Sequence, residues 1–584
     1  MKDMMQTPLT ILSASALVLA LGCARAPQVA PADTILTNGH VYTMAWDDPQ
    51  ADGTPAAGAP HTAEGWHPDG EAVAVAGGRI VFVGSATDIA PYRGPQTRVI
   101  DLAGATALPG IVDSHVHIRE LGQAETQLDL TGVASEAEAV ERTVAYAARI
   151  PKGEWVIGRG WDEGAWAGRY PTMRVLSERV PDHPVALDSL HGFAIWGNAL
   201  AFQRAGITRA TKPPAGGEIV KDAKGDPSGI LLNRAVTLLE SKIPPPTADE
   251  AKAWVLAGLK RMARDGFTGV HEAGADSELM TAFESLDAAG ELPVRVYAML
   301  SAREPALCRA WLAKGPLTDP AGLLTVRAVK AYYDGSLGSR GARLIEDYSD
   351  MKGHRGVSGG NYGFDQPLVA EMMRAGFQVG VHAIGDAGNR DTLDFFASVA
   401  AEAPKVRDNR NRIEHAQVVH PDDFARFASM QVIASMEPPH AVEDKAWAAD
   451  RLGPERVKGA YAWRTFRRNG VRLIFNSDLV GSDHSVFYGL HSAITRQDKA
   501  LQPEGGWHPE QRMTPEEAVR GYSTWAAYAA FAEKDRGVLA PGRAADITVM
   551  DLDPFVVGAT KPEDLLKGRI RLTVVNGTVV YEAR

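Results

Sequence analysis

Cysteine is nearly absent from this chain: Cys23 and Cys308 are the two among 584 residues. That excludes a disulfide-dense scaffold and a cysteine-ligated zinc site. Positive charge is in deficit as well, with 61 basic against 72 acidic residues and a formal net charge of -11. The summed field repels polyanions, and no basic stripe with interleaved aromatic residues offsets it, so a nucleic-acid reader is excluded. The apolar run from Leu9 to Leu21 falls short of the ~20 residues that cross a bilayer core. GEIVKDAKGDPSG at Gly217 to Gly229 has glycines without the spacing of a phosphate-binding loop, and reads as a turn. What is present is an ordinary globular composition, 45% hydrophobic and 23% charged, with 58 glycines and 36 prolines to make turns. At ~100–200 residues per domain, the length corresponds to three to five units, or one large domain with attachments.

The N-terminal apolar run fits a signal peptide. It ends Leu19-Ala20-Leu21-Gly22-Cys23, which resembles the lipobox of bacterial lipoproteins, with Ala20 and Leu21 exchanged relative to the usual order. Residues 1–22 are therefore expected to be a lipoprotein signal peptide and 23–32 an Ala/Pro-rich tether. Acyl chains on Cys23 would each contribute ~0.8 kcal/mol per buried methylene to attachment. The expected location is the bacterial cell envelope, lipid-anchored to the outer membrane and facing the periplasm. A plain secretory signal with an incidental cysteine is the alternative. With Cys23 acylated, Cys308 has no intramolecular partner, and no disulfide is expected.

From Asp33 onward, short β-rich runs (Thr34 to Asn38, Val41 to Met44, Ala72 to Val75, Arg79 to Val83) are separated by Asn-Gly and Gly-Gly turns. Pro49 to Asp69 reads as an exposed loop. The same strand-rich character returns at Asp546 to Leu552, Arg571 to Asn576 and Thr578 to Tyr581. Residues 33–107 and 537–584 are thus expected to build one small β-sandwich from both ends. Between them, apolar strand candidates at Ile111 to His117, Thr268 to His271, Val294 to Leu300, Val326 to Tyr332, Val379 to His382, Arg412 to His415, Gln431 to Met436 and Val471 to Asp478 alternate with helical stretches. This is the α/β pattern of a (β/α)8 TIM-like barrel, assigned to 108–118 and 251–536. Residues 119–250 are too long for one crossover helix and read as an inserted α+β region at the barrel mouth.

Several polar residues stand at the ends of these strands. His115 and His117 are two apart, so in a strand both rings face one side and can reach one ion. His382, His415 and Asp478 end three further strands, and barrel active sites are assembled at such C-terminal strand ends. Four histidines and an aspartate on one rim are poorly explained by packing. Lys330 lies on the fourth strand; held deprotonated, it could combine with carbon dioxide to give an anionic carbamate bridging two ions, whereas a salt-bridged lysine is the default.

The chain resembles the amidohydrolase superfamily, specifically the amidohydrolase 3 group of YtcJ-like metal-dependent hydrolases. The landmarks are LPGIVDSHVH at Leu108 to His117, GRGWDEGAW at Gly158 to Trp166, GFTGVHEAG at Gly266 to Gly274 and KAYYDGSLGSRGA at Lys330 to Ala342. They continue as VHAIGDAG at Val381 to Gly388, RIEHAQ at Arg412 to Gln417, ASMEPPHAVED at Ala434 to Asp444, NSD at Asn476 to Asp478 and GVLAPGRAADITVMD at Gly537 to Asp551.

The resemblance implies a metal-containing barrel with a β-sandwich. His115 and His117 match the first-strand metal histidines, Lys330 the carboxylated bridging lysine, His382 and His415 the fifth- and sixth-strand ligands, and Asp478 the catalytic aspartate, counted also as a metal ligand because it would contact the ion of a mononuclear site. His271 matches a position on the substrate side or behind the ligands and His440 a pocket-lining one, each with a structural hydrogen-bonding role as the alternative, and Glu437 is assigned to the same substrate pocket. Three places depart from the group's pattern: Glu437 stands where glutamine is common, Asn476 where glycine precedes Ser-Asp, and the wording around His191 has drifted.

The implied cofactor is a pair of divalent ions, zinc by ligand type, bridged by carboxylated Lys330. A mononuclear site, with Lys330 structural, is the alternative. The implied reaction is hydrolysis of an amide-like C–N bond in a small N-acyl, N-formyl or cyclic amide by metal-activated hydroxide, with Asp478 moving the proton. The rival reading is a catalytically inactive envelope lipoprotein that binds a small molecule. A homo-oligomer is left open.

Overall fold

The computed structural model describes residues 30–161, 170–189, 194–214, 217–319, 322–357, 359–479 and 481–583. Cys23, with the signal peptide, lies outside them, as do His191 and residues 162–166 of the second landmark.

Eight parallel strands form one sheet: β1 (Ile111–Val116), β2 (Phe267–Ala275), β3 (Arg295–Ser301), β4 (Leu324–Tyr332), β5 (Gln378–Ala383), β6 (Arg412–His415), β7 (Ile433–Met436) and β8 (Leu473–Phe475). Each is hydrogen-bonded to the next. A parallel bridge between Val116 and Leu479 closes β8 onto β1, and the Asp478 amide donates to the His115 carbonyl at 3.1 Å. The expected strand order holds. β2 runs four residues past His271, whereas β8 stops at Phe475, leaving Asn476 to Asp478 beyond the strand on the rim.

The sequence forms these strands because both faces are covered. β3, Arg-Val-Tyr-Ala-Met-Leu-Ser, is buried along its whole length, which demands a near-continuous apolar run. Outside it, the helix Ala248–Arg264 starts at a capping box between Thr247 and Glu250. It lies unusually close to the helix Ile118–Thr126. A Cβ at Gly122 would stand 1.7 Å from the Trp254 carbonyl oxygen, and one at Gly258 would stand 2.4 Å from that of Ile118. Glycine is required at both points of contact.

Two small sheets join the chain ends. One has the order Arg79–Gly84, Ala72–Ala76, Thr34–Thr37, Arg98–Asp101; the other has the order His40–Val41, Thr106–Pro109, Ile547–Met550, Ile570–Val575, Thr578–Glu582. Leu36, Val73 and Val75 from the first share an apolar cluster with Ala107, Ile547, Val549 and Leu572 from the second. Leu108 and Pro109 pair with Thr548 and Ile547, so this sheet reaches two residues past the expected boundary at 107. Pro49 to Asp69, expected as an exposed loop, is largely exposed and adds local structure. It carries a short hairpin, His61–Thr62 with Gly65–Trp66; Trp66 packs on Phe555 with centroids 4.9 Å apart, and Arg464 donates to the Ala51 carbonyl at 3.0 Å.

The inserted segment forms a separate six-stranded mixed sheet with its own apolar clusters. Gly217 to Gly229 makes a hairpin there, turning at Asp222 to Asp226. Cys308 is buried, its thiol 3.5 Å from the Ser301 carbonyl oxygen. Among the described residues, no helix is long and apolar enough to cross a membrane.

Candidate metal centre

Alternation along β1 sends Asp113, His115 and, just past its end, His117 to one side of the strand. Both histidines meet Asp478 from the end of β8: Nε2 of His115 and Nε2 of His117 stand 3.4 and 3.3 Å from Asp478 Oδ1. Ligands of a tetrahedral zinc, each about 2.0–2.2 Å from the ion, stand about 3.3–3.5 Å apart. Both imidazoles therefore stand at a coordination-shell distance from the Asp478 oxygen, and the three ligand atoms lie within 4.8 Å of one another. His115 is buried at 1% exposure, whereas His117 reaches solvent at 33%.

β6 contributes more than alternation allows. Arg412 and Glu414 face the barrel interior, and the next residue, His415, should point away. Instead its backbone is left-handed, with φ of 73°, and its ring lies 5.2 Å from His115 and 4.4 Å from His382. Asp478 is also left-handed, with φ of 51°. Such non-glycine outliers cost of order 1–3 kcal/mol and cluster where function holds them. Two of the strand-end residues singled out by sequence are thus brought to the site by strained backbone.

Buried charges that the sequence reading passed over organise these groups. Glu414 accepts a hydrogen bond from His115 Nδ1 at 2.8 Å and two from Arg412 at 2.7 and 2.8 Å. It has room because β5 carries Gly380, where a Cβ would stand 2.6 Å from Glu414 Oε1. Asp113 accepts from the hydroxyl and amide of Ser477 at 2.6 and 3.1 Å, tying β1 to the Asp478 segment. Asp334 accepts three backbone amides, from Arg343, Ile384 and Gly385, pinning the loop after β5. The available signal was the Arg-x-Glu pair inside a fully buried strand.

Lys330 on β4 is 1% exposed, with Nζ 2.8 Å from His115 Nε2. Burial lowers its amine from the ordinary lysine value, against the pull of Glu414 and Asp478. Burial, then the neighbouring Lys330, lowers His115 to about 4, so the ring is neutral near pH 7. Burial opposes the charge on Asp478, but His115, His117 and His415 together hold it well below the usual carboxylate range.

Glu437, at the end of β7, is 3% exposed; its Oε2 stands 3.2 Å from His415 Nδ1 and 3.8 Å from His440 Nδ1. His415 Nδ1, Glu437 Oε1 and His382 Nε2 are buried without a hydrogen-bond partner. Orphaned polar atoms of this kind, all Lewis bases, fit a cation. His271 is placed elsewhere. It is enclosed, its Nδ1 3.0 Å from Arg412 Nη1 and its ring 4.8 Å from Tyr297, so its position ties it to Arg412. Asn476, where glycine was expected, is buried and donates to Ser435 Oγ at 3.1 Å.

The sequence pattern of the amidohydrolase family matches residues 98–581. YtcJ of Bacillus subtilis (strain 168), a protein carrying an amidohydrolase name, is 33% identical over 519 residues, 88% of this chain and 96% of that protein. An N-substituted formamide deformylase of Arthrobacter pascens is 26% identical, over 88% of this chain and 95% of the relative. A solved structure from Pyrococcus furiosus, described as an uncharacterized metal-dependent hydrolase, superposes with a TM-score of 0.70 and 26% identity, covering 89% of this chain and 99% of that one. With a barrel whose rim gathers His115, His117, His382, His415 and Asp478, this chain belongs to the amidohydrolase family.

Proposed function

We propose that this hydrolase cleaves an amide-like C–N bond of a small N-acyl, N-formyl or cyclic amide. The observation that carries the reading is the convergence of His115, His117 and Asp478, whose ligand atoms lie within 4.8 Å of one another. Similarity to an N-substituted formamide deformylase supports the N-formyl class. Binding without turnover draws no support from a site that keeps its histidines, lysine and aspartate together.

His115, His117 and Asp478 would hold one divalent ion, zinc by ligand type. Lys330, as a carbamate, together with His382 and His415 would serve a second. A bound ion supplies Lewis acidity, making water a nucleophile near neutral pH and polarising an acyl carbonyl. The residues do the rest. Glu414 keeps the proton of His115 on Nδ1, so that Nε2 presents its lone pair. Asp478, ionised and 21% exposed, is placed to take a proton from attacking water and return it to the leaving nitrogen. In its neutral form the Lys330 amine would avoid cation repulsion and could add carbon dioxide, losing a proton as the N–C bond forms.

Around this centre, the two small sheets read as one composite β-sandwich and the inserted sheet as a border to the mouth. The lipid anchor on Cys23, and with it an envelope location, belongs to the same proposal.

The test is a panel of N-formyl, N-acyl and cyclic amides offered to metal-replete protein and to Asp478→Ala. Hydrolysis of one class, lost in the variant, supports the reading. Turnover unchanged in the variant, or ligand binding with no turnover by replete protein, overturns it.

A further inference from the structure

We infer that Glu437 and His440 share with His415 the seat of the second ion, so that Glu437 and His440 are metal ligands in this chain and not substrate contacts. The inference rests on the hydrolase reading and deepens it. The three ligand atoms lie within 4.8 Å of one another, and two imidazoles with one carboxylate are a combination that suits zinc and similar divalent ions.

Geometry separates this from the pairing of Glu414 with His115. Glu414 and His115 make a proper hydrogen bond at 2.8 Å, the arrangement of a carboxylate that orients a ring. Glu437 Oε2 and His415 Nδ1 come within 3.2 Å, yet His415 Nδ1 makes no hydrogen bond, and Glu437 Oε1 is likewise unpartnered. The two atoms stand at about the ligand–ligand distance around zinc without the geometry of a hydrogen bond. A buried carboxylate and imidazole left so would each carry a desolvation penalty; a cation removes it for both.

The local sequence builds the spacing. Glu437 ends β7 in extended backbone and is followed by Pro438 and Pro439, which open the short helix Pro438–Asp444. Proline fixes φ in a helix's first turn, and the residue before proline favours extended backbone. Glu437 and His440 are therefore set one turn apart on the same side. A glutamine at 437 would keep the shape and lose the charge.

The experiment is metal content by mass spectrometry after zinc loading and desalting, for wild type, Glu437→Gln, His440→Ala and His117→Ala. Glu437→Gln is nearly isosteric and His440 is 16% exposed, so these variants are expected to fold, with circular dichroism as the check. The expected result is two equivalents in wild type and one in each variant. If wild type holds one, its loss in Glu437→Gln and His440→Ala but not in His117→Ala supports the seat. Wild-type stoichiometry in Glu437→Gln, or in His440→Ala, overturns it; a merely orienting Glu437 would leave His440→Ala fully loaded. Loss of the seat leaves the hydrolase reading standing, a single ion indifferent to His117→Ala counts against its first ion site, and wild type that loads no metal overturns both.

Discussion

Glu414 holds His115 by a 2.8 Å hydrogen bond to Nδ1 although the two residues are 299 apart in sequence. A carboxylate can only accept here, so the imidazole proton is on Nδ1 and Nε2 is the atom that faces Lys330 and Asp478. Partners of this kind typically contribute 10–100-fold to metal affinity. Glu414→Gln is expected to weaken zinc binding by about that factor, measured by competition with a chromophoric chelator. Unchanged affinity would contradict the orienting role.

Arg412 is the counter-charge that makes Glu414 tolerable at zero exposure. Removing one member of a buried ion pair leaves the other uncompensated and costs about 3–5 kcal/mol. Arg412→Met is therefore expected to lower stability by that amount in urea unfolding. The double variant Arg412→Met/Glu414→Met should lose less than the sum of the two singles.

Asp478 is expected to be needed for turnover itself. General acid–base groups contribute about 10²–10⁴-fold, so Asp478→Asn should lower kcat on a responsive amide by at least about 10²-fold. Full activity in that variant would remove the proton-transfer role.

Of this chemistry, the strand-end histidines and Asp478 were legible because period-two alternation and a polar residue closing an apolar run are local signals, whereas Lys330 was singled out by the family resemblance alone. Glu414 was in view within RIEH, but its role depends on an arginine two residues away and on an imidazole across the barrel. The turn of His415 into the site depends on a left-handed φ that no residue type announces. At His271 the sequence left a substrate-side and a structural hydrogen-bonding role side by side, and its contact with Arg412 depends on a residue across the barrel that no local signal names. In the fold, eight strands were readable from apolar runs, while Arg98–Asp101 and Thr106–Pro109 were not, since their register is set by Thr34–Thr37 and Ile547–Met550.

Asp188, in the inserted sheet, gives a pH prediction away from the metal centre. Burial, then repulsion from Glu240, raises its carboxyl from 3.8 to about 6. Between those values the unfolded chain has released the proton and the folded chain retains it. Stability should therefore fall as pH rises from about 4 to about 6, with the penalty fully present above. Asp188→Asn should flatten that decline and raise stability by about 1–2 kcal/mol at pH 7.5, read from thermal melts against pH. A melting profile unchanged by the substitution would contradict it.

The anchor proposal predicts that cells fed labelled fatty acid incorporate label into this protein and that Cys23→Ala abolishes it. Label retained in the variant would exclude acylation at that residue.

The most direct measurement is diffraction from zinc-loaded crystals at the zinc absorption edge. The account predicts an anomalous peak about 2.0–2.2 Å from Nε2 of His115, Nε2 of His117 and the Asp478 carboxylate. A fully loaded crystal with no peak within about 3 Å of those three atoms would contradict it.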